Sequence, residues 1–315
     1  MIPVCGLRVL SYNGGRSLRS DSLAIDTKPI PAEQKTAEPS IGRSASLIAA
    51  GILLSRLFGV FRETIFNHFF GLSYAADAFR AAQRIPNMLQ NLLGEGVLSA
   101  SFIPVYARLL SKGDEEEAGR LAGAIFSLLA LITSVLVLIG VLATPYLIEL
   151  IAPGFHGETR RLAIQLVRIF FPGVGFLVLA AWCLGILNSH RKFFLPYVVG
   201  VIWNITTILA LLIFGRRSTD SYLAVYVTWG AVIGNALQFF VQLPVVLRVL
   251  PVLRFTLHAN ENVKAVIRNF VPVFVSRGVV QISGFIDNLL ASKLPTGSLA
   301  ALSTAQTLSF LPISL

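Results

Sequence analysis

Arg56, Arg62 and Glu63 lie within LLSRLFGVFRETIFNHFF, residues 53–70, a stretch made mostly of Leu, Ile, Val and Phe. An arginine at the centre of a membrane helix costs roughly 2.5–3.5 kcal/mol on insertion scales. A function or a partner must offset that cost. Wound as a helix, Ser55, Arg56, Gly59, Arg62, Glu63 and Asn67 share an arc of about 140°. A second polar stripe follows, in which Asp77, Arg80, Arg84, Asn87 and Asn91 recur at steps of three and four, flanked by Gln83 and Gln90. A guanidinium is a planar fork of donors suited to phosphate oxygens, which a lysine meets only as a point charge. Local pairing accounts for some of these residues: Asp77 with Arg80 one turn on, Arg84 beyond it, and Arg62 with Glu63 snorkelling to an interface. It does not account for two successive coherent faces with a surplus of arginine. The stripes therefore predict a water-filled cationic cavity for a phosphate or diphosphate. Arg62, near the middle of its arc, is expected to touch the anion, and Glu63 to balance charge or couple to an ion.

The elements that carry these stripes are membrane helices. The chain has 315 residues, 55 % of them hydrophobic and only 13 % charged, about half the charge of a soluble average. Segments 121–148, 169–189, 193–215 and 221–247 contain no Asp, Glu, Lys or Arg. Each reaches the roughly 20 residues that cross a bilayer core. The fold class is thus an all-α polytopic membrane protein, with helices expected near 45–70, 75–110, 119–146, 160–189, 194–214, 221–248 and 264–292, and an eighth starting near 298. Pro86, Pro104 and the GEG at 94–96 predict bends in the second helix.

The net charge of +10 invites a nucleic-acid reading, but its distribution is topological. With residue 1 in the cytoplasm, the inside segments hold 15 basic residues, namely Arg8, Arg16, Arg19, Lys28, Lys35, Arg43, Arg108, Lys112, Arg120, Arg191, Lys192, Arg248, Arg254, Lys264 and Arg268. The outside segments hold 5, namely Arg160, Arg161, Arg216, Arg217 and Lys293. That asymmetry predicts a cytoplasmic amino terminus and no nucleic-acid partner. Residues 1–43 are polar, with scattered prolines, and read as a disordered cytoplasmic tail. MIPVCGLRVL is too short and interrupted for a signal-peptide core, which makes the first helix an internal signal-anchor. Cys5 and Cys183 have no disulfide or metal spacing.

SRLFGVFRE followed by ADAFRAAQRIPNMLQNLLGEGVLSASFIPVY resembles the MurJ (MviN) family of lipid II flippases, in the multidrug/oligosaccharidyl-lipid/polysaccharide exporter superfamily. APGF at 152–155, GILNSHRKFFLP at 185–196, QIS at 281–283 and DNLLASKLPTGS at 287–298 continue the match. The resemblance runs from about residue 44 to the end. It implies a bacterial inner-membrane flippase that moves undecaprenyl-diphosphate-linked peptidoglycan precursor (lipid II) from the inner to the outer leaflet. It also implies no catalysis and no cofactor, coupling to the membrane potential or an ion, and membrane lipids as the surroundings of a monomer. By position, Arg56 and Arg62 match the family's first-helix cavity arginines, and Glu63 the acid beside the second. Asp77 matches the aspartate opening helix 2, Asn87 the asparagine after proline, and Glu95 the glutamate of the EG motif. Two family arginines are missing: Gln90 stands at one place, and Gln306 or Thr307 at the other. Arg80, Arg84 and Arg277 are the candidates to replace their charge.

The family has fourteen helices in two lobes. Residues 44–250 correspond to a first lobe of six helices and 251–315 to the start of a second, with helices seven and eight. The final SFLPISL lies inside an apolar run and reads as a cut, so an inactive fragment is one alternative. A relative exporting another lipid-linked oligosaccharide is a second. A cationic-drug exporter should place carboxylates in its cavity. An enzyme such as a polyprenyl-phosphate glycosyltransferase should carry acidic metal ligands on a loop domain, whereas DEEE at 114–117 reads as a solvated helix start.

Overall fold

The computed structural model describes residues 41–250 and 260–313. The segments 1–40 and 251–259, which carry most of the tail and part of the loop before the seventh predicted helix, lie outside the described residues. Among the described residues the chain forms α1 (Ile41–Phe70), α2 (Tyr74–Leu93), α3 (Glu95–Ser101), α4 (Ile103–Ser111), α5 (Glu115–Ile151), α6 (Gly157–Ser189), α7 (Phe194–Phe214), α8 (Asp220–Val249), α9 (Glu261–Ala291) and α10 (Ser298–Ile313). Five of these, α5 to α9, are long and apolar enough to cross a membrane. The protein is a multi-pass helical membrane protein.

One expectation is corrected. The predicted helix over 75–110 is three helices, α2, α3 and α4. Gly94 ends α2 in a non-helical conformation, its N–H still donating to the Gln90 carbonyl at 2.7 Å. Phe102 joins α3 to α4, just before Pro104, which has no N–H to extend the ladder. Pro86, by contrast, is accommodated inside α2.

Short connections make successive long helices antiparallel, and side chains cap the starts of α2, α5 and α9. Ser73 Oγ accepts from the Ala76 N–H at 3.2 Å to start α2, and Asp114 accepts from the Glu117 N–H at 3.1 Å to start α5. The acidic run at 114–117 is therefore a helix cap and first turn, where carboxylates suit the dipole. Asn260 caps α9 by accepting from Val263 N–H at 2.9 Å, and donates its amide nitrogen to Glu117. Asn262 reaches the same carboxylate at 3.1 Å, so the start of α9 is tied to the start of α5.

The central helix is α6, which packs on α2, α5 and α8; α7 bridges α8 to α1. Trp182 of α6 is fully buried, donates its indole N–H to the Ala122 carbonyl at 3.1 Å and meets Phe126 edge-on at 4.9 Å. At the α7–α8 contact, Gly230 and Gly234 form a small-xxx-small pair. A β-carbon at Gly234 would stand 2.9 Å from Trp203 Cα, and one at Gly230 2.9 Å from Ala210 Cβ. Close backbone approach is how helices pack where lipid offers no hydrophobic contrast. Opposite faces are apolar and exposed: Leu138, Leu142 and Tyr146 on α5, and Leu57 and Phe61 on α1.

Candidate functional site

The polar face of α1 and that of α2 meet across a cavity of about 770 Å³. Its walls come from α1, α2, α6, α7, α8 and α10. Of the predicted residues, Arg56, Arg62, Arg80, Arg84, Asn87 and Gln90 line it. Four of those are arginines, and no carboxylate is among the described residues on the wall. Ser55, Gln83 and Asn91 of the two stripes are there as well. Gln306 and Thr307 also face it, so both places where the sequence departs from the resemblance are on the wall as neutral side chains.

The arginines differ in how they are held. Arg80 is buried, with its side chain 7 % exposed, and pairs with Glu63 across the α1–α2 contact. Its guanidinium also sits 4.3 Å from the Phe66 ring centre. Arg80 therefore does not pair with Asp77, as local spacing allowed. Arg62 lies 3.6 Å from the other Glu63 oxygen and stacks over Trp203 of α7 at 4.4 Å. Thr304 of α10 donates to Glu63 at 3.2 Å and accepts from Asn67 Nδ2 at 3.3 Å. Glu63 is thus buried behind the wall, holding two arginines and α10, and is not itself a lining group. Arg84 has neither an ion pair nor a hydrogen bond among the described residues. Its guanidinium occupies the notch where a β-carbon on Gly284 of α9 would stand.

Two further expectations change. Asp77 does not face the cavity. It accepts from the Gly297 N–H at 2.6 Å and the Ala300 N–H at 2.9 Å, capping α10 and fixing it to α2. Arg277 is off the cavity wall: its guanidinium packs on Gly96 of α3, 2.6 Å from where a β-carbon would be. Of the three candidates to replace missing charge, Arg84 is the one that lines the cavity without a carboxylate partner. Glu95 opens α3, and its side chain lies outside the described residues.

The sequence reading missed the lining that α7 and α8 supply. Trp203 and Asn204 of α7 and Asn235, Gln238 and Gln242 of α8 all line the cavity. The signal was present in α8, where the three amides recur at steps of three and four in a run without charge.

Comparison with known proteins bears on what such a cavity belongs to. The family profile described as "Lipid II flippase MurJ" matches residues 66–315. The chain belongs to the MurJ family. A relative from Burkholderia cenocepacia, described as "Lipid II flippase MurJ", is 32 % identical over 282 residues, covering 87 % of this chain and 54 % of the relative. A "Probable lipid II flippase MurJ" from Bdellovibrio bacteriovorus is 35 % identical over 283 residues, covering 87 % of this chain and 53 % of the relative. The chain thus spans about half the length of the MurJ relatives it matches. Among solved structures, "Lipid II flippase MurJ, inward closed conformation" superposes with a TM-score of 0.73 at 28 % identity, covering 86 % of this chain and 56 % of that one. An inward-facing MATE family transporter of the MOP superfamily superposes with a TM-score of 0.64 at 18 % identity, covering 80 % and 59 %, and shares the fold.

Proposed function

We propose that this chain recognises the diphosphate of an undecaprenyl-diphosphate-linked peptidoglycan precursor and takes part in moving it from the inner to the outer leaflet of the bacterial cytoplasmic membrane. The observation that carries this reading is the charge of the wall: four arginines and no carboxylate among its described residues. A diphosphate offers acceptors only, and guanidinium groups offer donors only. Arg62 is the best placed of them. Glu63 and the Trp203 ring fix its plane from two sides, so its fork is oriented before a ligand arrives. Glu63 also neutralises Arg80; Arg62 and Arg84, both on the wall, are the groups that meet the anion. A cation exporter would need acids in place of these groups.

Movement across the membrane by alternating access takes two bodies rocking about a shared midplane site. This chain supplies six of the walls of such a site, and its relatives are about twice as long. The 15-to-5 asymmetry of basic residues supports a cytoplasmic amino terminus. The MurJ comparisons support lipid II as the substrate.

The test is binding and complementation side by side. Arg62→Ala is expected to reach wild-type abundance in the membrane, to lose most affinity for undecaprenyl diphosphate and to fail in a flippase-depleted strain. Arg62→Lys is expected to recover part of the affinity, since a point charge replaces a planar fork. Wild-type affinity and growth for Arg62→Ala at normal abundance would overturn the assignment.

A further inference from the structure

The arginines explain the α1–α2 side of the cavity and leave the α8 residues that line it without a role. Between Trp229 and Leu247, α8 carries three polar residues, Asn235, Gln238 and Gln242, and all three line the cavity. Asn235 is 5 % exposed and Gln242 2 %. Their nitrogen ends are turned to protein. Gln242 Nε2 donates to the Gln238 carbonyl at 2.9 Å, and Asn235 Nδ2 packs on α6, 2.8 Å from where a β-carbon on Gly173 would stand. Their oxygens, Asn235 Oδ1 and Gln242 Oε1, are shielded from water and have no hydrogen-bond partner. Leaving buried acceptors unpaired is unfavourable, and Leu or Met would fill either site at lower cost.

Acceptor oxygens cannot serve a phosphate, which presents acceptors itself; they serve hydroxyl and amide N–H groups. We propose that the Asn235–Gln238–Gln242 face of α8 is a second subsite that reads hydrogen-bond donors on the uncharged sugar and peptide portion of the ligand. The subsite rests on the lipid-diphosphate reading above. It divides the cavity into a donor wall of arginines for the diphosphate and an acceptor wall of amides for the headgroup. Terminal amide torsions are soft, so a quarter-turn brings each oxygen toward a bound hydroxyl without moving α8.

The test uses the 315-residue chain in lipid nanodiscs with two probes, undecaprenyl diphosphate and the same lipid carrying the disaccharide-pentapeptide. Asn235→Leu combined with Gln242→Met is expected to weaken binding of the glycosylated lipid about tenfold or more, while affinity for undecaprenyl diphosphate stays within twofold. Gln238→Ala, at a half-exposed position of the same face, is the variant least able to disturb packing and should show the same selectivity to a smaller degree. Equal weakening for both lipids, or no weakening for either, overturns the subsite and leaves the diphosphate reading intact. A wild-type chain that binds neither lipid, or binds both with an affinity indifferent to Arg62→Ala, overturns the two together.

Discussion

At the scale of single residues, Glu63 is the pivot. Its carboxylate lies between Arg62 and Arg80 and receives Thr304 from α10. With both partners of the Glu63–Arg80 pair nearly fully buried, removing Glu63 leaves Arg80 as an uncompensated charge, whereas removing Arg80 leaves Glu63 still 3.6 Å from Arg62. Glu63→Leu is therefore expected to destabilise the protein by about 3–5 kcal/mol. Arg80→Met together with Glu63→Leu should recover most of that loss, because replacing a whole buried pair by apolar groups is often nearly neutral. Thermal unfolding in detergent of the two single variants and the double one makes the cycle. Additive losses would mean that the pair is not coupled. Arg62 shares the Glu63 carboxylate with this pair, and its stack on Trp203 positions it without burying it beyond a ligand's reach.

At the scale of elements, the junction of α2 and α10 depends on one carboxylate and one glycine. Asp77 receives the first N–H groups of α10, and Gly297 turns the chain into it with φ of +91°. A β-carbon there would stand 2.6 Å from Leu72 Cβ as well as in a left-handed conformation. Gly297→Ala is expected to cost about 1–3 kcal/mol of local stability. It should show as faster hydrogen–deuterium exchange over residues 298–306, with α6 unchanged. Unaltered exchange there would mean that α10 is held by something other than its cap. The seam between α2–α3 and α9 has a different construction. Arg84 fills the notch at Gly284 and Arg277 the notch at Gly96, and neither has an ionic partner among the described residues. Such a seam can part without separating a buried ion pair.

At the scale of the whole molecule, the question is which ends of the helices face which side. The antiparallel order of α5 to α8 puts the α4–α5 turn and the α6–α7 turn on one side, and the α7–α8 turn on the other. The basic residues 108, 112, 120, 191 and 192 fall on the first side, which the positive-inside rule assigns to the cytoplasm. In intact cells, a Thr219→Cys variant is expected to react with a membrane-impermeant maleimide and a Ser111→Cys variant to react only after lysis. The reverse pattern would invert the orientation. Cys183 is buried, and both variants carry Cys5→Ser, so that the introduced cysteine is the one read.

Hydrophobic runs and polar stripes were legible without coordinates, because a bilayer admits little but helices and because charged groups in lipid demand a shared polar face. Residues 194–214 match the bounds of α7, and the arcs on α1 and α2 pointed to the arginine wall. Periodicity on one helix says which residues share a face, and it says nothing about what lies opposite. Only the tertiary structure decided that Arg80 pairs with Glu63 seventeen positions away, that Asp77 turns from the cavity to cap α10, and that Arg277 packs on Gly96 instead of lining the cavity. The same limit hid the α8 amides: their spacing is regular, but their importance comes from unpaired oxygens on a wall shared with α1 and α2. Long-range pairing depends on where helices cross. That is set by small residues such as Gly230 and Gly234, whose effect appears only when two backbones meet.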